Sequence, residues 1–354
     1  MTVFSTDAPR ERDEMKERQN RQKVVVIAEI GVNHNGSLEL AKELVTQCAG
    51  AGADYAKFQT FTAGNLAADG APLADYQKKD PLRRNQKELL SSLELTRSDF
   101  ENLVAHCAEE GIGFLTTAHD LESTSFVFGL GSDFIKVPSG DVTNYPFLTQ
   151  VAQQRTPVLL STGASTAEEV GSAVHLLELG GVERANITVM QCTTEYPAPP
   201  EEANLLAMVE MGGTLGVPVG FSDHTAGIDA SLAAVALGAQ VVEKHITMDR
   251  NLTGPDHAAS LEPDQFGSMV RQIRHVETLL GTRQKVVTPS EFRNRKVIRK
   301  SIVAATRIES GDLLGPHNLG LLRPGTGLSP MRWPELIGTR ASRCYLPGER
   351  LELP

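Results

Sequence analysis

The chain has 354 residues, of which 40% are hydrophobic and 22% charged, a composition typical of a folded protein with one large and one small domain and not of a repeat array. Its formal net charge of −10, without a concentrated basic stripe, argues against a nucleic-acid-binding protein. Because no signal peptide or membrane-length apolar run stands out, we expect a cytoplasmic protein that makes no membrane contact.

Short apolar segments alternate with longer amphipathic segments from Lys23 onward. The predicted strands are 24–30, 55–60, 113–117, 134–139, 157–162, 187–192, 218–223 and 241–247. The predicted helices between them include 38–51, 97–110, 145–154, 166–179, 203–211 and 228–237. This alternation favours a TIM (β/α)8 barrel over residues 23–281. An open doubly wound sheet is the alternative, but no Gly-x-Gly-x-x-Gly motif follows the first strand.

The segments that flank the barrel differ from it in composition. Residues 1–22 are rich in charge and are predicted to form a disordered or loosely helical extension. Residues 282–297 are polar and are predicted to be a linker. Residues 298–354 contain short apolar segments separated by turns, so we expect a small, mainly β domain with little core of its own.

Polar or charged side chains lie near the C-terminal end of each predicted strand, where barrel enzymes build their sites. They include Glu29, Lys57, Gln59, Thr117, Lys136, Ser139, Ser161, Thr194, Tyr196, Ser222, His224, Glu243 and His245. One such strand is easily explained by packing alone, whereas a full set is not. The pattern therefore predicts an active site at this end of the barrel.

His224 and His245 follow or end neighbouring predicted strands, with Asp223 and Glu243 beside them. Each histidine alone is more often a hydrogen-bonded core residue, but the two together favour a divalent metal site. Two imidazoles suit Mn, Fe, Co or Zn better than Mg or Ca. Glu243 is either a further ligand or a partner of a ligand.

Lys57 and Lys136, together with serine hydroxyls, are expected to form a cradle for an anion such as phosphate. The hydroxyls are those of Ser139, Ser161 and Ser222. Two alternatives remain open: either lysine pairs only with Glu29 or Glu243, or one of them forms a Schiff base as in class I aldolases. Arg323, in the terminal domain, is either a solvated turn residue or an arginine delivered into a barrel site, possibly that of another subunit.

Several motifs follow one another in a family-specific order. They are Ile27-Ala28-Glu29-Ile30-Gly31-Val32-Asn33-His34-Asn35-Gly36, Lys57-Phe58-Gln59-Thr60, Lys136-Val137-Pro138-Ser139-Gly140, Leu160-Ser161-Thr162-Gly163, Cys192-Thr193-Thr194-Glu195-Tyr196-Pro197, Gly220-Phe221-Ser222-Asp223-His224-Thr225, Glu243-Lys244-His245, Gly254-Pro255-Asp256-His257 and Arg323-Pro324-Gly325-Thr326-Gly327. In these motifs the chain resembles the sialic acid synthases. Those enzymes condense phosphoenolpyruvate with an N-acylated hexose, such as N-acetylmannosamine, and release phosphate by C–O cleavage.

The resemblance implies a TIM barrel followed by an antifreeze-like (SAF) domain, in a domain-swapped homodimer. It implies a divalent metal, most commonly Mn2+ with Mg2+ or Co2+ possible, held by His224 and His245. The residues implied to hold phosphoenolpyruvate are Lys57, Thr117, Lys136, Ser139, Ser161 and Ser222. Those implied to meet the sugar are Gln59, Thr194, Tyr196, Asp256 and Arg323 of the partner subunit. Glu29, Asp141 and Glu243 are expected to be catalytic, with Glu29 at the reacting centre.

Four positions depart from the family pattern. Asp141 stands where Glu is usual, His119 where Phe is usual, Gln191 where His is frequent and Thr194 where some members have Asn. These positions are expected to line the pocket, so they affect the choice of sugar more than the reaction. An N-acetylneuraminate synthase is the first expectation, and a 2,4-diacetamido-6-deoxy hexose is the alternative acceptor, because legionaminic and pseudaminic acid synthases share most of these motifs.

Other functions remain open from the residues alone. A metal-dependent aldolase would use pyruvate and release no phosphate, and a deoxy-heptulosonate-type synthase would condense phosphoenolpyruvate with a different acceptor. A non-enzymatic sugar-binding protein is a third possibility, because the terminal domain resembles antifreeze modules. The polar strand ends argue against this last function.

Overall fold

The computed structural model describes residues 23–73 and 85–353, and the predicted extension at residues 1–22 lies outside this part of the chain. The described chain divides into two compact units, with the boundary between Gly281 and Thr282. In the first unit, parallel strands pair in chain order from β1 to β8, and β8 pairs with β1 to close a barrel. The predicted TIM barrel is therefore confirmed, and the open sheet is wrong.

The barrel strands are short and buried. They are β1 (Val25–Gly31), β2 (Tyr55–Thr60), β3 (Gly113–Ala118), β4 (Ile135–Val137), β5 (Val158–Ser161), β6 (Ile187–Cys192), β7 (Val219–Asp223) and β8 (Val241–His245). β-Branched and aliphatic side chains dominate them because both faces of a parallel barrel sheet are covered. Strand four is shorter than predicted, because Ser139–Asp141 forms a 3-10 helix that Pro138 separates from the strand.

Helices connect the strands and cover the barrel. They are α1 (Leu38–Gly50), α2 (Ala63–Leu66), α3 (Gln86–Ser91), α4 (Arg97–Glu110), α5 (Leu121–Gly129), α6 (Tyr145–Gln153), α7 (Ala167–Leu179), α8 (Leu205–Leu215), α9 (Asp229–Ala236) and α10 (Pro263–Leu280). Capping boxes begin α4, with Thr96 and Asp99, and α7, with Thr166 and Glu169.

Two covering helices, α5 and α10, were absent from the predicted elements. Helix α10 buries Phe266, Met269, Val270 and Ile273, whose spacing places them on one helical face. This face joins the core that also contains Val26 of β1. Helix α10 therefore supplies the return after β8 and completes the eighth strand–helix pair.

The first helix of the second unit is α11 (Pro289–Ile298), which the linker prediction missed. Its N-terminus has a capping box formed by Thr288 and Glu291. Strands β9 (Ser301–Ala304) and β10 (Leu319–Leu322) pair antiparallel, and α12 (Trp333–Leu336) follows. The small core of the second unit includes Ile302, Ile308, Leu336 and Tyr345. Within the described residues, no helix is long and apolar enough to cross a membrane.

Candidate active site

The barrel interior is built in layers, because side chains of a strand alternate between its two faces. The floor is an apolar cluster of Ile27, Leu115, Leu159, Met190 and Val241, with Val25, Tyr55 and Phe134 packed against it. It fills the centre of the barrel, as in other barrels of this kind. The polar side chains that line the pocket lie on the C-terminal side of this floor.

The next layer toward the C-terminal end is polar. Two residues beyond the floor positions of each strand come Glu29, Lys57, Thr117, Lys136, Ser161, Cys192, Ser222 and Glu243. We call these residues the middle layer. Backbone register places Glu29 of β1 between Lys57 of β2 and His245 of β8. The inward side chains thus change from apolar to polar two residues along each strand, and the pocket begins at this change.

A third set of side chains, two residues further on, forms the rim layer. Its members are Gly31, Gln59, His119, Pro138, Gly163, Thr194, His224 and His245. All except the two glycines are among the residues that line the pocket. The glycines leave space at the rim, whereas the three histidines and Gln59 surround it with neutral polar groups.

The middle layer contains two lysines and two glutamates in contact with each other. Lys57 Nζ lies 2.7 Å from Glu29 Oε2 and 3.7 Å from Glu243 Oε2, and Lys136 Nζ lies 3.1 Å from Glu243 Oε1. Ser222 donates a hydrogen bond of 3.0 Å to Glu243 Oε1, and Lys57 donates one of 3.0 Å to Thr117. The pairing of lysines with glutamates that the sequence left open is thus present, inside the pocket itself.

Burial and charge act in opposite directions on these groups. Burial raises the pKa of Glu243, but Lys136 and Lys57 outweigh it and lower that pKa to about 2. Burial lowers the pKa of Lys57, but Glu243 and Glu29 outweigh it, so the pKa of the ammonium is raised. A Schiff-base lysine needs an uncharged amine. The environment of Lys57 therefore disfavours class I aldolase chemistry and favours a fixed positive charge.

Glu29 has a different environment from Glu243. Burial raises the pKa of Glu29, with the nearby Glu243 adding to the effect and Lys57 opposing it. Gln59 donates a hydrogen bond of 3.0 Å to Glu29 Oε1 and fixes the orientation of the carboxyl group. The two glutamates therefore hold protons with different affinities, which is a common feature of acid–base sites.

His224 and His245 lie side by side at the rim, with ring centroids 5.5 Å apart. Tyr196 stacks on His224 with a centroid distance of 4.1 Å and meets the edge of His245 at 5.5 Å. Burial lowers the pKa of both imidazoles, that of His224 to about 4. Both rings are therefore neutral at physiological pH, the form in which histidine binds metals.

The two imidazoles fit a divalent metal ion. Nδ1 of His224 lies 2.6 Å from the carbonyl oxygen of Thr193, so Nε2 is the nitrogen of this ring that would bind a metal. Nδ1 of His245 is buried without a hydrogen-bond partner among the described residues. Within the same residues, no group of three or more His, Cys, Asp or Glu side chains could hold a metal. The chain would therefore supply two ligands, and water or substrate oxygen would supply the others.

The two aspartates near these histidines do not line the pocket. Asp256 Oδ2 lies 3.7 Å from Nδ1 of His245, and burial together with Glu29 raises the pKa of Asp256 to about 7. Asp223 points to the outer face of β7, where Oδ2 lies 3.0 Å from Nζ of Lys244. Asp223 adjoins His224 in sequence but faces away from the pocket, because Ser222 takes the inward position on this strand.

The pocket has a cavity volume of about 190 Å³ below its open mouth. Its lining consists of Glu29, Lys57, Gln59, Thr117, His119, Lys136, Pro138, Ser139, Gly140, Ser161, Cys192, Thr194, Tyr196, Ser222, His224, Glu243 and His245. Most of the predicted site residues are thus gathered in one place, and the exceptions are Asp141, Asp256 and Arg323. Ser161 Oγ is buried in this lining without a hydrogen-bond partner among the described residues.

Asp141 and Arg323 are the other two predicted residues that are not in this lining. Asp141 accepts a hydrogen bond of 2.7 Å from Asn144 and is not part of the lining, so its predicted catalytic role has no support from the geometry. The carboxylate of Asp141 contacts Asn144 and does not reach the pocket. Arg323 is exposed in the second unit, directly after β10, and its predicted role stays a prediction.

The positions that depart from the family pattern divide in the same way. Thr194 and His119 line the pocket, whereas the amide of Gln191 donates to the carbonyl of Ala203, so the expectation that all four line it is wrong. Cys192 was missed as a pocket residue, although it follows the floor residue Met190 by two positions. Strict use of the period-two alternation would have found both Cys192 and the outward direction of Asp223.

Gly163 leaves room that a larger residue would fill. A Cβ atom there would overlap Thr194 Oγ1 and would lie 2.9 Å from Cys192 Sγ and 3.0 Å from Ser139 Oγ. We expect Gly163→Ala to lower turnover about tenfold or more, since overpacking by one methyl group displaces pocket side chains at a cost of about 1–3 kcal/mol. Steady-state kinetics of this variant and of the control variant described next would measure the effect.

The matched control is Gly213→Ala in α8, where an added Cβ meets nothing within 4 Å. This control is expected to keep wild-type turnover and to gain slightly in stability, by about 0.4–1 kcal/mol. Equal activity in both variants would show that the tight rim around Gly163 does not matter for the site.

Comparison with known proteins places these features in one family. Residues 44–285 match the NeuB family and residues 299–349 match the SAF domain. N,N'-diacetyllegionaminic acid synthase of Campylobacter jejuni is 43% identical over 93% of this chain and 98% of its own length. The protein of the same name from Legionella pneumophila is 39% identical over 95% of this chain and 96% of its own length.

A solved structure shares the fold as well. The N-acetylneuraminic acid synthetase of Leptospira borgpetersenii is 29% identical and superposes with a TM-score of 0.70, over 77% of this chain and 90% of its own. The two matched family models agree with the resemblance seen in the motifs, and so do the synthases that match nearly the whole chain. The chain belongs to the NeuB family.

Proposed function

We propose that the protein condenses phosphoenolpyruvate with a 2,4-diacetamido-6-deoxy hexose to give a nine-carbon 2-keto acid of the legionaminic type, with release of phosphate. The observation that carries this proposal is the middle layer, in which two lysines and two glutamates lie beneath a pair of neutral histidines at the C-terminal end of the barrel. The choice of acceptor follows the two relatives named N,N'-diacetyllegionaminic acid synthase, each matched over more than nine-tenths of this chain.

Phosphoenolpyruvate would occupy the middle layer. Lys57 and Lys136 carry the positive charge for its phosphate and carboxylate, and the buried hydroxyl of Ser161 is ready to donate a hydrogen bond. Because the lysines are already held by Glu29 and Glu243, they are fixed in position before the ligand arrives. The sugar would then lie above, in the rim layer.

The proposed reaction forms one carbon–carbon bond and breaks one carbon–oxygen bond. The methylene carbon of phosphoenolpyruvate attacks the aldehyde carbon of the open-chain sugar, whose oxygen takes up a proton. Water adds to the resulting cationic C2, and phosphate leaves as the bond between C2 and its bridging oxygen breaks. Glu29, fixed by Gln59 and Lys57, is the carboxylate proposed to stabilise the positive charge at C2.

The ion proposed for His224 and His245 is Mn2+, with Mg2+ or Co2+ as alternatives. When bound, it would supply a Lewis acid for the aldehyde oxygen. Tyr196, stacked on His224, would hold that imidazole in place and cover one side of the sugar site.

Phosphate release tests the proposed function. Purified protein, stripped of metal and supplied with Mn2+ and phosphoenolpyruvate, is expected to release phosphate with a 2,4-diacetamido-trideoxyhexose faster than with N-acetylmannosamine. Release with a phosphorylated tetrose instead would favour a deoxy-heptulosonate-type synthase. Consumption of pyruvate without phosphate release would favour an aldolase.

We also propose the domain-swapped homodimer, in which Arg323 of the partner subunit meets the sugar. Support comes from the match of residues 299–349 to the SAF domain and from the exposure of Arg323. If the proposal holds, His245→Ala and Arg323→Ala proteins are each inactive alone, but their mixed dimer contains one intact site. Mixing equal amounts should restore about one quarter of wild-type activity if subunits exchange at random.

The control for the mixing experiment replaces Arg323→Ala with Arg307→Ala, at another exposed arginine of the second unit. Arg307→Ala should keep full activity by itself. Failure of the two inactive proteins to complement after subunit exchange has been demonstrated would contradict an arginine supplied in trans.

A further inference from the structure

His119 is a pocket residue for which the function proposed above provides no role. It follows β3 directly, and its backbone N–H donates to the carbonyl of Thr60 at 3.1 Å, so it extends the strand pairing to the rim layer. Its ring lies edge-on to Phe61 with a centroid distance of 6.3 Å. Both contacts hold the imidazole in one position at the pocket wall.

A buried ring nitrogen of His119 lacks a hydrogen-bond partner among the described residues. Nε2 is buried and makes no hydrogen bond to any described residue. Buried polar atoms are nearly always satisfied, so an unsatisfied one in a side chain that lines a pocket indicates a group supplied by a ligand. The same situation occurs at Ser161 Oγ and His245 Nδ1, in the same lining.

The charge state of His119 indicates what kind of group it binds. Burial, followed by the nearby Lys57 and Lys136, lowers the pKa of His119 to about 3. The ring is thus neutral at physiological pH and can accept or donate one hydrogen bond at Nε2, but it offers no charge to a phosphate or carboxylate. The anionic groups of phosphoenolpyruvate would instead bind the lysines of the middle layer, which lies below the rim layer.

We propose that His119 is a specificity-determining residue that binds a neutral polar group of the acceptor sugar, a hydroxyl or an acylamino group, through Nε2. The inference rests on the proposed function, because it takes the sugar as the occupant of the rim layer. His119 shares this layer with Gln59 on the neighbouring strand β2, with His224, which follows β7, and with His245, the last residue of β8. A hydrogen bond at this site discriminates against acceptors that cannot make it, since the buried ring atom then stays unpaired.

Two variants separate a hydrogen bond from mere packing. His119→Phe keeps a flat ring but removes the nitrogen, and His119→Gln keeps a hydrogen-bonding group of similar length. We expect His119→Phe to lower kcat/KM for the sugar about tenfold or more while the KM for phosphoenolpyruvate changes less than about twofold, and His119→Gln to recover most of the loss. His175→Phe, at an exposed position of α7, is the matched control and should behave as wild type.

Equilibrium binding of the sugar keeps the test independent of turnover. It is measured by calorimetry on wild-type and variant proteins in the presence of phosphoenolpyruvate and without divalent metal. Weaker binding by about tenfold in His119→Phe, with binding retained in His119→Gln, supports the inference even if no phosphate is released, a result that would overturn only the proposed reaction. Unchanged sugar affinity in a folded His119→Phe protein, or an equal loss in the folded Gln variant, overturns it.

Discussion

Replacing His245 with alanine is expected to lower phosphate release at least about 100-fold while the protein stays folded, since even the residues that support metal ligands cost 10–100-fold when removed. The ring of His245 lies beside that of His224 and carries a buried Nδ1 without a hydrogen-bond partner among the described residues. Removing it takes away one of only two imidazoles at the proposed metal site. Turnover and the affinity for Mn2+, measured by calorimetry, should fall together.

The control for this experiment is His275→Ala, at an exposed position of α10 and away from the barrel interior. It should leave turnover and Mn2+ affinity unchanged. A folded His245→Ala protein that binds Mn2+ and turns over like wild type would show that the metal site lies elsewhere or does not exist.

Replacing Lys244 with methionine is expected to lower the free energy of unfolding by about 3–5 kcal/mol, because a buried carboxylate would lose its cation. Lys244 and Asp223 are both fully buried between β7 and β8 and the covering helices, and their charged atoms lie 3.0 Å apart. Asp223 also accepts hydrogen bonds of 2.6 Å from Ser231 and 2.8 Å from Thr225. Methionine keeps most of the side-chain volume, so denaturant unfolding of this variant reports mainly the lost charge.

Two further proteins make the experiment specific. Lys87→Met removes an exposed ion pair with Asp69 and should cost less than about 1 kcal/mol. The double variant Lys244→Met with Asp223→Asn removes both charges and should be more stable than Lys244→Met alone. A loss in Lys244→Met no larger than that in Lys87→Met would mean that the buried pair contributes little to folding.

The position of this pair also bears on the site. Asp223 immediately precedes His224, and Lys244 immediately precedes His245, on neighbouring strands. Because successive side chains of a strand face opposite ways, the ion pair joins the two strands on the outside while the histidines face the pocket. The same pairing that stabilises the fold thus fixes the two imidazoles relative to each other.

The alternation of short apolar strands with helices was enough to predict the barrel and most of its pocket. The prediction worked because one strand period separates an apolar floor residue such as Leu159 from a polar residue such as Ser161. Helix α10 was missed although Phe266, Met269, Val270 and Ile273 carry a clear helical spacing. Helix α5 gave a weaker signal, since only Ser123, Thr124 and Val127 of it are buried.

Details that depend on side-chain contacts could not be predicted from the sequence. The attachment of Asp141 to Asn144 requires the geometry of the 3-10 turn after β4, which no local pattern reveals. Similarly, the unsatisfied Nε2 of His119 is visible only when every neighbour is in place. Residue types and spacing thus predicted which side chains gather, but not which of their atoms remain available to a ligand.

The most direct test of the proposed chemistry follows the bridging oxygen of phosphoenolpyruvate. The substrate is labelled with 18O between C2 and phosphorus and is turned over with Mn2+ and the 2,4-diacetamido sugar, and the released phosphate is analysed by mass spectrometry or 31P NMR. Cleavage of the C–O bond predicts that the phosphate carries the 18O. Unlabelled phosphate, with the label retained in the keto acid, would mean P–O cleavage and would contradict attack of water at C2 beside Glu29.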